Sequence, residues 1–245
     1  MGSEAAGSEA AGSEAVGSGT GVGMGAFWYA PPAGRRSAGP LPSRQRRRAS
    51  LPGMSTTVAV TTWSLEQTSP SDLSPARIPD SGSGIRIARA EVPSPEFSRF
   101  LYTAVGGDVT WTDRLGWTYA RWREFLERPG VETWVAYDRG TPAGYIELEA
   151  QPGGTVEITY FGLIAAFRGR RIGGHLLSYG TARAWDLAER WPGREPTRRV
   201  WVHTCSKDGP HALANYRRRG FRLFDTRTED EPDVSTPGPW PGAGI

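Results

Sequence analysis

The stretch FRGRRIGGHLL at residues 167–177 combines residue types that could bind an anion. Its charged and small positions are Arg168, Gly169, Arg170, Arg171, Gly173 and Gly174, and they precede an apolar pair of leucines. Glycine lets a bulky anion approach the backbone, and the free N–H groups at the start of a helix attract negative charge. A phosphate site, a nucleic-acid contact and a solvated turn are all consistent with these residues. The spacing matches neither the dinucleotide fingerprint nor the nucleotide triphosphate loop.

Three further side chains could move protons. Glu157 lies within the otherwise apolar and aromatic run TVEITYFGL, His203 lies near the end of RRVWVHTC, and Tyr216 precedes three arginines and Gly220. A carboxylate or an imidazole can act as a general base, and a phenol can act as a general acid. Cys205 and His211 could also pair, but a Cys–His nucleophile needs a third group to orient it, and the sequence does not identify one.

The elements around the glycine–arginine stretch place it between a strand and a helix. Residues 155–163 are predicted to form a strand, and a helix is predicted from Ile172 to about Arg190. A strand (198–205), a short helix (211–219) and a last strand (220–225) are predicted to follow.

The preceding segments predict the first half of the domain. IRIARAEV (85–92) alternates like a strand, and Ser94-Pro95-Glu96 is typical of a helix start. Thr112-Asp113 is predicted to open a second helix, followed by a hairpin over 131–150. The element order is β-α-α-β-β-β-α-β-α-β, a single α/β domain over roughly 85–225. Residues 54–84 are interpreted as a polar, proline-rich flank and residues 226–245 as a flexible tail.

Composition excludes several classes of protein. Residues 1–53 begin with a repeated GSEAA unit and are expected to be a disordered leader ahead of a start at Met54. They carry six of the 29 basic and three of the 26 acidic side chains. The rest of the chain carries 23 of each sign, and this neutral balance disfavours nucleic-acid binding. No apolar run approaches the roughly 20 residues that span a membrane. One cysteine and three histidines without a metal-ligand spacing disfavour a disulfide or a zinc site, and a cytoplasmic location is expected.

Two motifs resemble those of the GNAT family of N-acetyltransferases. The turn is similar to the family's pyrophosphate motif [QR]-x-x-G-x-[GA], with Arg168 in the first position and Gly173 in the last, but with Arg171 where the family usually has glycine. ALANYRRRGF (212–221) is similar to the family's A-x-x-x-Y-x-x-x-G-F ending, although Gly209 stands where many members have asparagine. The resemblance covers about residues 85–225. It implies a GNAT-like mixed, mostly antiparallel sheet flanked by helices, with a disordered N-terminal extension.

The resemblance also implies a reaction, in which a primary amine attacks the thioester of acetyl-CoA, the co-substrate. The residues expected to hold acetyl-CoA are Leu163, Arg168, Gly169, Arg170, Arg171, Ile172, Gly173 and Gly174. A backbone N–H near Leu163 would face the thioester carbonyl. Tyr216 would be the acid that protonates the thiolate. Glu157 is the candidate base, acting through a water, with His203 as its rival.

The acceptor pocket is expected between the first two helices, where aromatic residues could enclose a cationic amine. The aromatic candidates are Trp111, Trp117, Tyr119 and Trp122, with Asp108 or Asp113 as a counter-charge. Spacing favours Tyr119 and Trp122 as core residues. The sequence does not separate a small amine from a peptide or protein amine, and it leaves a homodimer open.

Three functions remain as hypotheses. The first is an acetyl-CoA-dependent N-acetyltransferase, and the second is a module of the same fold that binds acyl-CoA without turnover. The third, a nucleic-acid binder that uses the arginines of 168–171 and 217–219, is disfavoured by the neutral body of the chain.

Overall fold

The computed structural model describes residues 57–77 and 84–233. These residues form one seven-stranded sheet with helices on both faces. The strands are β1 (Thr57–Gln67), β2 (Ile85–Arg89), β3 (Val131–Asp138), β4 (Thr141–Gln151), β5 (Thr155–Leu163), β6 (Arg199–Cys205) and β7 (Arg222–Pro232). The helices are α1 (Pro95–Gly106), α2 (Tyr119–Leu126), α3 (Ile172–Trp185), α4 (Leu187–Arg190) and α5 (Ala212–Arg218), with single 3-10 turns at Pro70–Asp72 and Ala165–Phe167. Every one of these helices is too short or too polar to cross a membrane.

The strand order across the sheet is β2-β3-β4-β5-β6-β1-β7. All neighbouring strands are antiparallel except β5 and β6, which are parallel because α3 and α4 form the crossover between them. This architecture confirms the prediction of a mixed, mostly antiparallel sheet flanked by helices.

Alternating side chains divide the core between the two faces of the sheet. On β3, Trp134 and Ala136 pack in the larger cluster beneath α3, whereas Val135 between them packs with Leu101 of α1. β4 repeats the pattern, because Ile146 lies in the larger cluster and its neighbour Tyr145 lies against α1. The period of two therefore places α1 on one face and α3 on the other.

β1 corrects the prediction that residues 54–84 are a polar flank. It lies inside the sheet, where it pairs with β6 on one side and with β7 on the other. The polar residue Gln67 hid this strand from the sequence pattern, because a glutamine predicts an exposed position. In the structure Gln67 is fully buried at the end of β1. Its amide donates to the carbonyl of Arg219 at 2.7 Å and accepts from the indole of Trp185 at 3.0 Å, so burial leaves it with both partners.

β7 extends to Pro232, past the predicted end of the domain at 225. Residues 226–231, TRTEDE, pair with β1 although they are mostly exposed. Charged side chains are common on a strand at the edge of a sheet, because they oppose pairing with other chains. The acidic composition that predicted a tail therefore belongs to an edge strand. The predicted leader (1–53) and the end of the predicted tail (234–245) lie outside the described residues.

Two helix boundaries also differ from the predictions. The carbonyl of Thr112 accepts a hydrogen bond from the N–H of Leu115, which closes the first of two consecutive turns. α2 begins only after Thr118, whose side chain accepts from the N–H of Arg121 at 3.3 Å. The predicted helix 172–190 is divided at Asp186, which ends α3 with φ of −100°. The carboxylate of Asp186 binds Arg183 before the break and Arg190 after it, so ion pairs connect the two helical segments.

The buried carboxylate of Glu132 on β3 holds the end of the crossover against the sheet. Its side chain is fully buried and accepts from Arg190 at 2.8 and 2.9 Å, from the indoles of Trp134 and Trp191 at 2.8 and 2.9 Å, and from Arg89 at 3.2 Å. Burial alone would raise the pKa of Glu132, but the bonds from Arg190 and Trp134 hold it below its usual value. The network joins β2, β3 and the end of α4.

We expect Glu132→Ala to lower the free energy of unfolding by about 3–5 kcal/mol, because it leaves two guanidinium groups and two indole N–H groups without their buried acceptor. Urea denaturation followed by circular dichroism measures this. The matched control is Glu127→Ala, which removes an exposed i,i+4 partner of Arg123 and should cost less than about 1 kcal/mol. Equal losses in the two variants would contradict the anchoring role of Glu132.

Candidate active site

A cleft opens where β5 and β6 separate. The two strands pair only from Thr155 with Arg199 to Ile158 with Val202, although both continue beyond these residues. The cleft has a volume of about 620 Å³ and is lined from both faces of the sheet, by Trp111 on the α1 side and Tyr216 on the α5 side among others. The walls of the cleft therefore come from both faces of the sheet.

A β-bulge marks the place where the strands separate. Glu147 of β4 is opposite Tyr160 and Leu148 is opposite Ile158, so Thr159 is the extra residue. The Thr159 hydroxyl donates to the carboxylate of Glu147 at 2.6 Å, and Arg114 donates to both oxygens of the same carboxylate at 2.8 and 3.1 Å. A bulge bends its strand and increases the local twist, which directs the end of β5 away from β6.

The backbone of Leu163 at the end of β5 faces this gap. The N–H of Ile164 donates to the carbonyl of Ala143 at 2.9 Å, so the backbone N–H and C=O groups of Ile164 point toward β4. Backbone groups of successive residues in a strand alternate in direction, so those of Leu163 point away from β4. The Leu163 carbonyl accepts from Arg168 at 3.0 and 3.1 Å. β6 pairs with β5 only as far as Ile158, so the Leu163 N–H lies on the side of β5 that faces the gap. That it meets a thioester carbonyl stays a prediction.

The turn before α3 presents a row of backbone N–H groups. Gly169 and Arg171 both adopt left-handed conformations, with φ of 75° and 64°, and α3 begins at Ile172. The N–H groups of Ile172, Gly173 and Gly174 have no acceptor within residues 57–77 and 84–233, and no side chain caps the helix. Together with the helix dipole they form a site that favours an anion.

Two of the three arginine side chains in the turn are already paired. Arg168 binds the carboxylate of Asp108 with both terminal nitrogens, and Arg170 binds Asp138 at 2.6 Å. Both were predicted to contact acetyl-CoA, but here their guanidinium groups connect the turn to the segment after α1 and to the end of β3. Arg171 has no carboxylate partner in the described part of the chain.

The two glycines of the first helical turn face different surroundings. A Cβ on Gly173 would lie 3.4 Å from the Leu163 side chain, at the wall of the cleft, whereas a Cβ on Gly174 would lie 3.2 Å from Ala76 and 3.4 Å from Arg219. Gly173 therefore keeps space between α3 and β5, and Gly174 allows close packing away from the turn. The lack of a side chain at Gly174 thus serves packing, and its backbone N–H is still one of the free donors at the start of α3.

Arg219 is a cation that the sequence analysis did not assign to this site. Its guanidinium approaches the first turn of α3 beside Gly174 and has no carboxylate partner among the described residues. Burial and the neighbouring Arg218 lower the pKa of Arg219. The sequence has three consecutive arginines at 217–219, and no local pattern indicates which of the three side chains faces the site.

Tyr216 of α5 lines the cleft at its α3 side. The residue is 5% exposed and lies edge-on to Phe161 and Phe221, each with ring centroids 6.0 Å away. Its hydroxyl has no hydrogen-bond partner among the described residues, although it borders the cleft. Burial and the carboxylate of Asp208 raise the pKa of Tyr216, so the phenol keeps its proton near neutral pH.

Glu157 lies behind His203 and does not itself line the cleft. One carboxylate oxygen accepts from Gln151 at 2.6 Å, and the other is 3.4 Å from Nδ1 of His203. His203 lines the cleft, and its side chain is 50% exposed. The hydrogen bond to Glu157 raises the pKa of His203, although loss of part of its solvent shell opposes this, and the carboxylates of Asp208 and Asp113 act in the same direction as Glu157. The two candidate bases thus form one pair.

Cys205 and His211 both border the cleft but form no hydrogen bond with each other. Asp208 accepts from the Thr204 hydroxyl at 2.6 Å and from the N–H of Cys205 at 3.0 Å, which uses it as a turn-forming residue. Burial and Asp208 raise the pKa of Cys205, which favours the thiol over the nucleophilic thiolate. This geometry gives no support to a cysteine nucleophile.

The predicted aromatic acceptor pocket is only partly formed. Trp111 lines the cleft, whereas Trp117 and Trp122 pack over the buried guanidinium of Arg114 at 4.6 and 5.6 Å. Trp122 is buried as predicted. Tyr119 is 59% exposed, so the prediction that it is a core residue is wrong; it is the first residue of α2, where the chain has only begun to turn inward.

β5 and β6 separate beside the uncapped N-terminus of α3. This arrangement suits an elongated substrate that carries a phosphate group. The chain belongs to the acetyltransferase (GNAT) family, because the sequence model of that family matches residues 94–221. The resemblance stated from the two sequence motifs is thereby confirmed.

Solved structures with a similar fold are also described as acetyltransferases. A GCN5-related N-acetyltransferase from Kribbella flavida is 20% identical with a TM-score of 0.49, and the match covers 74% of this chain and 60% of that one. One from Sphaerobacter thermophilus has the same identity and TM-score and covers 74% and 55%. A GNAT family protein from Streptococcus pneumoniae is 19% identical with a TM-score of 0.40 and covers 56% and 87%. The chain thus spans 60% and 55% of the first two proteins. No curated protein sequence matches it.

We expect Arg171→Gly to raise the free energy of unfolding by up to about 1 kcal/mol. The left-handed conformation costs a non-glycine residue roughly 1–2 kcal/mol, which glycine avoids. Glycine also makes the unfolded chain more flexible, and this entropy cancels part of the gain in stability. Urea denaturation measures the change. The control is Arg170→Gly, at a residue without positive φ, which loses the pair with Asp138 and should be destabilised. A loss of stability in Arg171→Gly would contradict the strain at this position.

Proposed function

We propose that this protein transfers an acetyl group from acetyl-CoA to a primary amine by direct attack of the amine on the thioester. One observation carries the proposal. Leu163 and Tyr216 both line the cleft between β5 and β6, and the uncapped start of α3 lies beside it, because a Cβ on Gly173 would be 3.4 Å from the Leu163 side chain. These groups would supply a carbonyl-polarising donor and a proton donor in the cleft and an anion site next to it.

The pyrophosphate of acetyl-CoA would bind mainly to backbone N–H groups of the turn 168–174. The pairing of Arg168 and Arg170 with carboxylates supports this assignment, because it leaves the backbone as the largest set of free donors. Arg171 and Arg219 would add positive charge at the two sides of the helix start. A cation needs no fixed geometry to attract a phosphate, so an arginine is compatible with the position where the family usually has glycine.

The N–H of Leu163 would polarise the thioester carbonyl. As the amine nitrogen bonds to the carbonyl carbon, the oxygen gains negative charge, which a fixed donor in a partly dry cleft stabilises. A single donor of this kind contributes roughly 3 kcal/mol to transition-state stabilisation. The bond from Arg168 to the Leu163 carbonyl would keep this peptide group in its orientation.

His203 would accept the proton that the amine must lose, and Glu157 would position it. Glu157 binds Nδ1, which leaves Nε2 as the ring nitrogen available to a substrate or a water. The second oxygen of Glu157 is fixed by Gln151, which in turn accepts from the indole of Trp201 at 3.1 Å. His203 is therefore the group that touches the substrate, and Glu157 acts through it.

Tyr216 would complete the reaction. The carbon–sulfur bond breaks, its electron pair leaves with the sulfur, and the phenol proton passes to the thiolate to give free coenzyme A. The raised pKa of Tyr216 keeps the phenol protonated for this step.

A second function, binding of acyl-CoA without turnover, is favoured by one observation. Arg171 occupies a left-handed position that suits glycine, so the turn is strained where the family usually relaxes it. Release of thiol from acetyl-CoA distinguishes the two functions. With the full chain and a broad panel of amines, we expect thiol release together with an acetylated amine detected by mass spectrometry. Binding of acetyl-CoA without either product would favour the second function.

We expect Tyr216→Phe to lower kcat by about 10²–10⁴-fold while the affinity for acetyl-CoA stays within about twofold, because the variant loses only a general acid. Steady-state rates and calorimetry measure the two effects. Phe221→Leu, a change in the aromatic contact on the other side of the ring, serves as the packing control and should keep most of the activity. An unchanged kcat in Tyr216→Phe would mean that the thiolate takes its proton from water.

We expect the acid limb of the pH profile of kcat/KM to report His203. Its raised pKa shifts this limb to higher pH than an ordinary histidine would give, because the base works only when deprotonated. Glu157→Gln removes the main cause of the shift, so the limb should move to lower pH. His203→Gln should lower kcat/KM by about 10²-fold or more. If Glu157→Gln abolishes activity and His203→Gln does not, Glu157 is itself the base.

A further inference from the structure

Asp113 is a carboxylate on the cleft wall that the proposed reaction does not use. Its two oxygens accept from the hydroxyls of Tyr102, at 3.3 Å, and Tyr160. It forms no ion pair with any residue in the described ranges. The next residue, Arg114, binds the buried carboxylate of Glu147, so this guanidinium is already paired.

The other carboxylates that line the cleft already have partners. Glu231 binds Lys207 at 2.7 Å, and Asp208 binds the Thr204 hydroxyl and the N–H of Cys205. Asp208, like Asp113, has no cation partner among the described residues, but its carboxylate closes its own turn, whereas Asp113 is bound by the hydroxyls of two tyrosines. Its effect on the charge of the cleft is visible at His203, whose pKa it helps to raise.

Aromatic rings surround Asp113. Trp111 and Tyr160 line the cleft with centroids 4.8 Å apart, and Tyr102 lies edge-on to Tyr160 at 5.2 Å. A carboxylate bordered by aromatic faces suits an organic cation, because the carboxylate supplies charge and the rings supply attraction through their electron-rich faces. An anionic acceptor would meet repulsion at the same place.

This group lies apart from the reacting centre. Tyr160, which holds Asp113, is three residues before Leu163 on β5, roughly 10 Å along an extended strand. Its side chain packs with the α1 cluster, whereas that of Leu163 packs with the α3 cluster on the opposite face. A cation at Asp113 is therefore a different group from the amine that attacks the thioester.

We infer that the acceptor carries a second positive charge, and that Asp113 binds this charge against Trp111 and Tyr160. The inference rests on the proposed acetyl transfer. The substrate class is an amine with a further ammonium or guanidinium group several bonds from the nucleophile, such as a polyamine or a basic peptide.

The test compares putrescine, butylamine and γ-aminobutyrate, whose common four-carbon amine ends in an ammonium, a methyl and a carboxylate group. With the full chain and acetyl-CoA, we expect kcat/KM for putrescine to exceed that for butylamine by about tenfold or more, with γ-aminobutyrate lowest. Asp113→Asn should bring the putrescine-to-butylamine ratio close to one. The control Asp225→Asn, which removes an exposed charge on β7 outside the cleft, should keep the ratio.

Equal kcat/KM for the three acceptors, or a ratio that survives Asp113→Asn, would overturn the inference. An equal fall in kcat for all three acceptors would also overturn it and would make Asp113 a participant in the chemistry. Spermidine should raise the melting temperature of the parent and of Asp225→Asn, but not that of Asp113→Asn. If this shift occurs without thiol release from any acceptor, the cation site stands and the proposed transfer fails.

Discussion

The ion pair between Arg114 and Glu147 stabilises the bend in β5 that opens the cleft. Both side chains are almost completely buried, at 7% and 2% exposure, and the pair adjoins the bulge at Thr159 where β5 leaves β6. Removing both charges from water is costly, and the close contacts with both carboxylate oxygens offset that cost. The coupling to Glu147 raises the pKa of Arg114 although burial opposes it, so the guanidinium stays charged inside the protein.

The same pair organises the acceptor side of the cleft. Arg114 belongs to the segment between α1 and α2, and its guanidinium is enclosed by Trp117, Phe125 and Tyr160 at 4.3–4.6 Å. The adjacent residue, Asp113, lines the cleft, where the hydroxyls of Tyr102 and Tyr160 bind it. The buried ion pair thus adjoins both the bulge in β5 and the carboxylate on the cleft wall. A hydrophobic pair could fill the volume, but it would not hold the hydroxyl of Thr159 at the bulge.

The sequence predicted the fold well where periodicity and junction motifs agree, as at the strand 155–163 and the turn before Ile172. It failed for β1, because Gln67 and its neighbours are polar and their partners come from residues more than a hundred positions later. The site was predicted at the level of backbone segments. The partners of individual side chains were not predictable: Asp108 and Asp138 bind the two arginines of the turn, and His203 stands in front of Glu157. These contacts depend on how distant strands align, which no local pattern encodes.

The position of β1 between β6 and β7 has a consequence for the synthesis of the chain. Thr62 pairs with Cys205, and Thr57 pairs with Pro232, so the first described strand contacts the last ones. A ribosome that adds 5–20 residues per second needs on the order of ten seconds to make the intervening sequence. During this time both edges of β1 lack their partners, and the sheet cannot close on that side. The charged composition of β7 and the polar end of β1 would then lower the tendency of the nascent chain to pair with its neighbours, which makes solubility during translation a second reason for residues that appear poorly suited to strands.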